Sequence, residues 1–183
     1  SSVRKFVKIQ NGCNHSCTFC IIPSCRGKSV SRGTEEINNE INLNLKQDIK
    51  EIILTGVDST SWGEDFKNHS YLSDLIEKIL FSHPKLERLR LSSIDVAEID
   101  EKLIKLIGNE NRLMPHLHFS LQSFDDMILK RMKRRHTTQH VRKLFKEIKK
   151  VKPELTFGAD FITGFPTETS TMFDNTLKSI DEL

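Results

Sequence analysis

The sequence predicts an α/β domain built on a parallel β-sheet. Short segments rich in β-branched and aromatic residues alternate along the chain with longer segments whose apolar residues recur at helical spacing. Strands that alternate with helices favour parallel pairing through right-handed crossovers, in either a barrel or an open doubly wound sheet. The strand segments are 3–9, 51–55, 87–91, 116–121 and 155–162, and the helical segments are 34–47, 71–82, 98–108, 125–132, 138–151 and 168–183.

Each strand segment is short and apolar in character, and each is followed by an amphipathic stretch. In chain order the strands read VRKFVKI, EIILT, ERLRL, HLHFSL and LTFGADFI. The second helix shows its period most clearly, because its apolar residues fall on one face: Leu72, Leu75, Ile76, Ile79 and Leu80. No linker, repeat or low-complexity tract divides residues 1–183, so we expect one domain.

Length and composition favour part of a cytoplasmic enzyme. The chain has 183 residues, of which 37% are hydrophobic, and it lacks both a secretory signal and an apolar run near eighteen residues, so no membrane association is expected. It begins SSVRKF without an initiator methionine and ends DEL within a helical pattern. We therefore expect it to be the middle portion of a longer protein.

Positive charge is concentrated in two segments. The formal net charge is only +3, yet residues 1–34 carry six Lys/Arg and no acid, and residues 130–152 carry eleven Lys/Arg and one acid. Two basic segments on an otherwise nearly neutral chain indicate a polyanionic partner such as a nucleic acid. The alternative interpretation is an ordinary solvated face of a basic helix.

Three cysteines near the start carry the clearest chemical signal. Cys13, Cys17 and Cys20 form the pattern C-x3-C-x2-C within NGCNHSCTFC. Three thiolates suit a [4Fe–4S] cluster with one iron left open for a small molecule, whereas structural zinc sites use four protein ligands. A zinc site with Cys25 or His15 as the fourth ligand is the main alternative, and a disulfide framework is disfavoured in so tight a loop. Cys25 is interpreted as a bystander, with a ligand or redox role as the alternative.

The remaining candidate residues follow the strands. In parallel sheets the functional loops gather at the carboxyl ends of the strands, where this chain has TGVDSTSWG, SSID, SLQSFDD and TGFPTE. Gly56 and Gly164 would let the backbone approach a ligand, and Asp58 is placed to bind an ammonium or a ribose. Ser120 and Gln122 could bind a sugar or a carboxylate. Each has an alternative interpretation as a turn former or helix cap.

These motifs together resemble a radical S-adenosylmethionine (SAM) methylthiotransferase, a family marked by this cysteine spacing. The resemblance is carried by CNHSCTFCIIPSCRGKSVSR, EIILTGVDSTSWG, LRLSSIDVAEID, MPHLHFSLQSFDDMILKRMKRRHT and GADFITGFPTET. LTGVD and LRLSSID most resemble the bacterial branch that acts on N6-threonylcarbamoyladenosine in tRNA, while isopentenyladenosine-acting relatives typically show LGQN at the first place. The alternatives are the isopentenyladenosine enzyme, another radical SAM enzyme, or a non-enzymatic zinc or nucleic-acid-binding module.

The resemblance implies a fold and a set of site residues. The fold would be a partial (β/α)6 TIM-like barrel of radical SAM type, truncated after about five βα units. Cys13, Cys17 and Cys20 would ligate the [4Fe–4S] cluster. The SAM-binding residues would be Phe19 and Ile162 near the adenine, Gly56 and Asp58 near the methionine ammonium, Ser120 and Gln122 near the ribose or carboxylate, and Arg131 at the carboxylate, for which Lys130, Arg134 and Arg135 compete. Gly164 lies in a GFPTE loop that departs by one residue from the stricter glycine motif of the superfamily.

The resemblance also implies chemistry and partners. An electron from the reduced cluster would cleave SAM to a 5′-deoxyadenosyl radical, and a methylthio group would be installed at C2 of the modified adenosine at tRNA position 37. The partners would be the tRNA anticodon loop and an electron donor such as flavodoxin or ferredoxin. His116, His118 and His136 are not needed as bases, and core or surface roles are expected for them.

Parts of that family's layout are not found in this sequence. The expected N-terminal domain with a second [4Fe–4S] cluster and the C-terminal RNA-binding domain lie outside residues 1–183, as does a sixth βα unit. We expect the isolated chain to hold one cluster without completing methylthiolation, and to self-associate through an open sheet edge.

Overall fold

Strands and helices alternate along residues 3–182, the part of the chain that the computed structural model describes. The strands are β1 (Arg4–Lys8), β2 (Gln10–Asn11), β3 (Val30–Ser31), β4 (Glu51–Thr55), β5 (Arg88–Leu91), β6 (Ser93–Ile94), β7 (His116–Gln122) and β8 (Thr156–Phe161). The helices are α1 (Ile22–Arg26), α2 (Thr34–Lys46), α3 (Leu72–Ser82), α4 (Glu101–Asn109), α5 (Asp126–Arg131), α6 (Thr138–Val151) and α7 (Ser170–Glu182). Single 3-10 turns lie at Ser59–Ser61 and Val96–Glu98.

The long strands form one parallel array in chain order. The sheets run β1-β4-β5 and β6-β7-β8, every pairing in them is parallel, and only Ser92 separates β5 from β6. An isolated parallel bridge between Leu89 and Leu113 joins the two halves. Because the order never reverses, the array is wound in one direction, as in a (β/α) barrel, and not doubly wound. The predicted α/β class with a parallel sheet is confirmed, and within the described residues the array does not close.

The core lies between the outer face of this array and the helices. Val7, Leu54 and Leu91 share one row of the sheet, and each is at most 5% exposed. Helix α3 covers them with the apolar face that the sequence predicts, and its Leu75, Ile76 and Ile79 are fully buried. Burial of each such side chain contributes about 1.5–3 kcal/mol, which explains why α3 keeps its place although its amino end lacks a Ser, Thr, Asp or Asn cap.

The opposite face of the array, which we call the inner face, is polar. The register places Arg4, Glu51 and Arg88 in one row across the strands. Two residues further along each strand, Phe6, Ile53 and Arg90 form another row on the same face. His116 and His118 continue this face on β7, where the exposed or half-buried positions alternate with buried leucines and Phe119. The expectation of core or surface roles for these two histidines is refined: their ring nitrogens lie within hydrogen-bond range of Thr156 and Asp160 on β8.

Two local differences from the sequence-based expectation have clear physical reasons. Helix α4 begins at Glu101, three residues after the predicted start, because Val96–Glu98 form a 3-10 turn and the Asp100 carboxylate accepts a 2.6 Å hydrogen bond from the Leu103 amide. The short antiparallel pair β2–β3, with Gln10 opposite Ser31, was not predicted because two-residue strands carry no periodic signal.

Neither end of the array is paired on both sides by a described strand, since β1 pairs with β4 and β8 with β7. The predicted self-association through an open edge stays a prediction. Among residues 3–182, no helix combines the length and apolar character needed to cross a bilayer.

Candidate iron–sulfur site

The cysteines lie on a loop whose base is closed by β2 and β3. We call residues 12–29 the cysteine loop. Its ends meet where the Cys13 amide donates to the Gly27 carbonyl at 3.1 Å and the Ser29 amide donates to Asn14 Oδ1 at 3.0 Å. Gly12 has a φ of 74°, and a Cβ on it would lie 2.0 Å from the Lys28 carbonyl oxygen. Only glycine fits this crossing of the two loop ends.

Replacing Gly12 by alanine is expected to displace the cysteine loop. The new methyl group must push a backbone carbonyl aside as well as occupy a left-handed conformation, at a cost of about 2–4 kcal/mol. Gly27→Ala is the matched control, because Gly27 has a nearly identical φ of 73° but nothing within 4 Å of its Cβ position. Urea unfolding should show a clearly larger loss for Gly12→Ala; equal losses would contradict the role given to the close approach.

The outer turn of the loop is attached to the end of α5. The Thr18 amide donates to the Met132 carbonyl at 3.2 Å, and the Thr18 hydroxyl donates to the Arg131 carbonyl at 3.0 Å. Met132 itself is fully buried, which anchors this end of the helix in the core. The segment that carries Cys17 and Cys20 is therefore held by the fourth βα unit, far away in sequence.

The three cysteines converge on one cavity at the carboxyl ends of the strands. The cavity has a volume of about 150 Å³. The predicted residues that line it are Cys13, Cys17, Phe19, Cys20, Asp58, Ser120 and Gln122. Side chains from the cysteine loop, the loop after β4 and strand β7 thus meet around a single space, as expected for a parallel array.

Four other predicted residues do not line this cavity. Gly56 lies two residues before Asp58 in the chain and packs against Gln10, since an added Cβ would lie 2.9 Å from Gln10 Oε1. The Ile162 amide donates to the Gln122 carbonyl, and the Gly164 amide donates to Glu168 Oε2. The Arg131 guanidinium points to the Thr167 carbonyl at 3.0 Å, and the basic residue that does line the cavity is Arg134.

Gln10 is a structural link that sequence reasoning missed. Its side chain is fully buried, accepts a 2.9 Å hydrogen bond from the Asp58 amide, and donates to the Gly12 carbonyl at 2.7 Å and to Ser29 Oγ at 2.8 Å. One amide side chain thereby fixes both ends of the cysteine loop against the turn that carries Asp58. Nothing in the sequence marks this glutamine, since it lies just after the predicted first strand and begins the two-residue strand β2.

His15 lies between two carboxylates. Its Nε2 is 2.8 Å from Asp58 Oδ2 and 3.2 Å from Glu98 Oε1. The close contact with Asp58, reinforced by Glu98, raises the pKa of His15 to about 10, so the ring is protonated at neutral pH. Burial alone would raise the pKa of Glu98, but His15, Thr60 and Arg135 outweigh it and lower that pKa to about 2. Glu98 was not singled out in the sequence, because its partners come from three distant loops.

The pKa of the Cys13 thiol is raised. Burial raises the pKa of Cys13 to about 11, and the negative charge of Asp58, 3.7 Å from its sulfur, acts in the same direction. Alone, this thiol is protonated at neutral pH, and it becomes a thiolate only when a cation compensates the charge. A cluster of three thiolates around a cavity, none of them in a disulfide, fits a [4Fe–4S] cluster with one open iron.

The zinc alternative is weakened by the same geometry. Ligand atoms of Cys13, His15 and Asp58 lie within 4.8 Å of one another, which could hold a metal ion. However, His15 Nε2 lies between the Asp58 and Glu98 carboxylates, so a metal ion bound through it would have to displace both contacts. Cys25, the other proposed fourth ligand, is exposed on α1 and does not line the cavity.

A buried ion pair closes the cavity on the β6–β7 side. Arg134 Nη2 lies 2.9 Å from Asp95 Oδ2, and both side chains are only 7% exposed. The same nitrogen donates to the Ser120 carbonyl at 2.7 Å, while Nη1 lies 3.6 Å from the Cys17 sulfur. Arg134 therefore connects the cysteine loop, the loop after β6 and strand β7, and it supplies positive charge beside a thiol.

His136 is buried next to this pair without a close partner. Its side chain is fully buried, neither ring nitrogen has a hydrogen-bond partner among the described residues, and Asp95 Oδ1 is 4.0 Å from Nδ1. Burial, followed by the charge of Arg134, lowers its pKa from 6.5 to about 4. The folded protein therefore holds His136 neutral, in agreement with the expected core role.

The cluster-free protein is expected to lose stability between pH 6.5 and pH 5 because of His136. In this window the unfolded chain binds a proton on the imidazole and the folded protein does not, so the free energy of unfolding falls by about 2 kcal/mol as the pH falls. His15 opposes this loss by only about 0.4 kcal/mol, because it is protonated throughout in the folded protein and already half protonated at pH 6.5 in the unfolded chain. Urea unfolding at several pH values, compared with His136→Phe, checks this.

The difference between wild type and His136→Phe isolates the effect. His83, whose pKa burial also lowers, contributes with the same sign in both proteins. An identical pH slope in the two proteins would mean that His136 takes up its proton in the folded state. A shallower slope in the variant is the expected result.

The fold and the cysteine site together define the class of this protein. A family model described as the Radical SAM superfamily matches residues 7–180. The chain belongs to that superfamily. Among solved structures, it is similar to the radical SAM methyltransferase TsrM from Kitasatospora setae, with a TM-score of 0.77 and 16% identity over 98% of this chain and 34% of that chain. It is also similar to SuiB from Streptococcus suis, with a TM-score of 0.64, 10% identity, and 98% and 36% coverage.

More similar sequences are tRNA-modifying methylthiotransferases. The chain is 49% identical to a threonylcarbamoyladenosine tRNA methylthiotransferase MtaB of Rickettsia prowazekii, over 98% of this chain and 42% of the relative. It is 38% identical to the protein of that name from Aquifex aeolicus, over 99% and 43%. It is 37% identical to a tRNA-2-methylthio-N(6)-dimethylallyladenosine synthase of Erythrobacter litoralis, over 100% and 41%. The chain thus spans about two fifths of the length of these relatives.

Proposed function

We propose that this chain is the radical SAM core of a tRNA methylthiotransferase that converts N6-threonylcarbamoyladenosine at position 37 to its 2-methylthio derivative. The observation that carries the proposal is the 49% identity to the Rickettsia prowazekii protein over nearly the whole chain. The dimethylallyladenosine enzyme is the second candidate, since relatives of that name reach 37% identity. The higher identity favours the threonylcarbamoyl substrate.

Cys13, Cys17 and Cys20 would hold the [4Fe–4S] cluster, and the neighbouring cavity would hold SAM. When bound and reduced, the cluster supplies the electron that cleaves SAM to methionine and a 5′-deoxyadenosyl radical. Asp58 would bind the methionine ammonium, Ser120 and Gln122 would bind hydroxyl or carboxylate oxygens, and Phe19 would contact the adenine. Their support is that all of them line the cysteine cavity.

The cavity wall that faces a bound cofactor contains apolar side chains as well. Phe19, Val57 and Ile94 line it together with Ile22 and Pro23. Apolar walls exclude water, and a primary carbon radical needs this because water and solvent thiols would quench it. Gly56, Arg131, Ile162 and Gly164 would assist from behind the wall or after rearrangement of their loops on SAM binding.

In this proposal, the exposed basic side chains of α6 form the surface that faces the RNA. Lys143 is 75% exposed, and Lys146 and Lys150 are exposed beside it, which suits contact with phosphates. In our proposal tRNA is the substrate, a flavodoxin or ferredoxin is the electron donor, and the cytoplasm is the site of action. The remainder of the full-length protein would supply a second cluster domain and an RNA-binding domain.

The test begins with anaerobic reconstitution of the chain with iron and sulfide. EPR of the dithionite-reduced protein should show a [4Fe–4S]⁺ signal whose shape changes when SAM is added. Full-length protein and tRNA should then yield 2-methylthio-N6-threonylcarbamoyladenosine on nucleoside digestion. Zinc in place of iron, or a cluster indifferent to SAM in folded protein, would overturn the radical mechanism; a product carrying the dimethylallyl group would favour the second candidate.

A further inference from the structure

The inner face of the array carries more positive than negative charge. Four basic side chains occupy it, against the carboxylates of Glu51 and Asp160; they are Arg4, Lys8, Arg88 and Arg90. The alternate residues of β5 face the other way and are apolar, since Leu89 and Leu91 are buried against the helices. Arginines on a half-open face of a sheet must be explained by something other than core packing.

Glu51 gathers two of these arginines. Its carboxylate, 7% exposed, lies 2.7 Å from Arg90 Nε and 3.4 Å from Arg88 Nε. Burial would raise the pKa of Glu51, but the charges of Arg90, Arg4 and Arg88 outweigh it and lower the pKa, so Glu51 is ionised. Glu51 therefore holds Arg90 closely and Arg88 only loosely, and Arg88 Nη1 also lies 3.4 Å from Glu87 Oε2.

The Arg90 guanidinium is held by Glu51 at one of its three nitrogens. Only its Nε contacts Glu51, so the two terminal nitrogens have no partner among residues 3–182. The side chain is 28% exposed, which leaves that end accessible. A guanidinium fixed through Nε presents its outer edge as a rigid pair of donors, the arrangement that binds a planar carboxylate by two parallel hydrogen bonds.

Other polar groups on this face are already engaged. His118 Nε2 lies 3.1 Å from Asp160 Oδ2, and His116 Nδ1 lies 2.8 Å from Thr156 Oγ1. Gly158 makes room for both rings, since a Cβ there would lie 2.8 Å from His118 Nδ1. Arg90 is thus a better-placed carboxylate receptor than either histidine.

The separation between Arg90 and the cysteine cavity is similar to the length of an N6-substituted adenine. Ser93 lines the cavity, and Arg90 precedes it by three residues, or roughly 10 Å along a strand. An adenine that presents its C2 to the cavity would extend its N6 substituent away from the reacting atom. The threonine part of a threonylcarbamoyl group carries a carboxylate. The adenine ring and this substituent together are long enough to bridge most of that gap.

We propose that Arg90 binds the carboxylate of the threonylcarbamoyl substituent and thereby determines which modified adenosine the enzyme accepts. This inference rests on the proposed function and adds the residue responsible for substrate selection. Phe6, which is 65% exposed, lies two strands away from Arg90 in the same row, with Ile53 between them, and offers apolar surface on the same face. A dimethylallyl substituent has no hydrogen-bond acceptor, so it would cover the terminal nitrogens of Arg90 and leave them without a partner. The resulting cost lowers the affinity for that substrate.

The test measures affinity, so it does not depend on turnover. The ligands are synthetic anticodon stem-loops with threonylcarbamoyladenosine, with its methyl ester, or with dimethylallyladenosine at position 37. Wild-type full-length protein should bind the acid at least tenfold more tightly than the ester, which lacks only the charge. In Arg90→Gln this acid-to-ester ratio should fall to about one, while affinity for the ester stays within about threefold of wild type.

Lys8→Gln is the matched control, because it removes one positive charge from the same face. It should preserve the acid-to-ester ratio; loss of the ratio in Lys8→Gln and not in Arg90→Gln would overturn the proposal. An equal loss of affinity for all three RNAs in Arg90→Gln would make Arg90 a phosphate contact and would also overturn it. The double variant Glu51→Gln/Arg90→Gln, which removes both partners of the ion pair, should reproduce the Arg90→Gln ratio if misfolding is not the cause.

The proposed function fails in a different way. Wild-type protein that methylthiolates only the dimethylallyl RNA would overturn both the function and the role of Arg90. Wild-type protein that methylthiolates the threonylcarbamoyl RNA, with an unchanged acid-to-ester ratio in Arg90→Gln, would overturn the role of Arg90 alone.

Discussion

Replacing any one of Cys13, Cys17 and Cys20 by alanine is expected to abolish cluster loading. After anaerobic reconstitution, wild-type chain should contain about four iron and four sulfide per molecule, and each variant less than about a tenth of that. All three positions should be equivalent, because a three-thiolate site has no spare ligand and a cluster held by two cysteines is labile. Iron and sulfide analysis, with the absorbance of the brown protein, measures the effect.

Cys25→Ala is the matched control for these variants. Cys25 lies only five residues beyond Cys20, in α1, but is exposed and does not line the cavity. Its loss should leave cluster content within about a fifth of wild type. Full loading of a Cys20→Ala protein that fails only when Cys25 is also removed would show that Cys25 replaces a ligand, contrary to the bystander interpretation.

The cysteine variants should remain folded, which keeps their interpretation simple. The loop is closed by Gly12 and by hydrogen bonds from Gln10, and its outer turn is attached through Thr18 to the end of α5. None of these contacts uses a cysteine side chain. Circular dichroism and urea midpoints of the cluster-free variants should therefore lie close to those of cluster-free wild type.

The fold was largely predictable because its signals are local. β4 reads EIILT and α3 repeats leucine and isoleucine at helical spacing, so each element could be located from a window of about ten residues. The strand order could not be read from those windows. It follows from long-range pairings such as Arg4 with Glu51 and Ser93 with His118, which resolve the choice between barrel-like and doubly wound winding.

Local patterns marked the cysteines and the strand-end residues Asp58, Ser120 and Gln122, all of which line the cavity, but not the residues that hold them in place. Cys13, Cys17 and Cys20 are neighbours in sequence, and their spacing alone indicates a cluster. Gln10 and Glu98, by contrast, acquire their roles from partners tens of residues away, so no local pattern marks them. The same limitation applies to the basic stretch after α5, where spacing did not distinguish Arg131 from its neighbours and only tertiary contacts separate them.

Arg134 is the residue of that stretch with the largest expected effect on the folded site. Arg134→Met should lower the free energy of unfolding by about 3–5 kcal/mol, because it leaves the buried Asp95 carboxylate without its closest cation. Arg135, whose Nη2 is 3.5 Å from Asp95, limits the loss to the lower part of this range. Urea unfolding of the cluster-free protein measures it, and the double variant Arg134→Met/Asp95→Asn should recover part of the stability.

Arg131→Met is the control, and it also decides which arginine serves SAM. The Arg131 side chain is exposed, and within residues 3–182 its hydrogen bond is to the Thr167 carbonyl, so its loss should change stability by less than about 0.5 kcal/mol. Because Arg134 lines the cavity and Arg131 does not, SAM affinity of the cluster-loaded chain should fall at least tenfold in Arg134→Lys, which keeps the charge but not the fork. A fall in Arg131→Met with normal affinity in Arg134→Lys would instead assign the SAM carboxylate to Arg131, the residue that the family resemblance implies, and would leave Arg134 with a purely structural role beside Cys17.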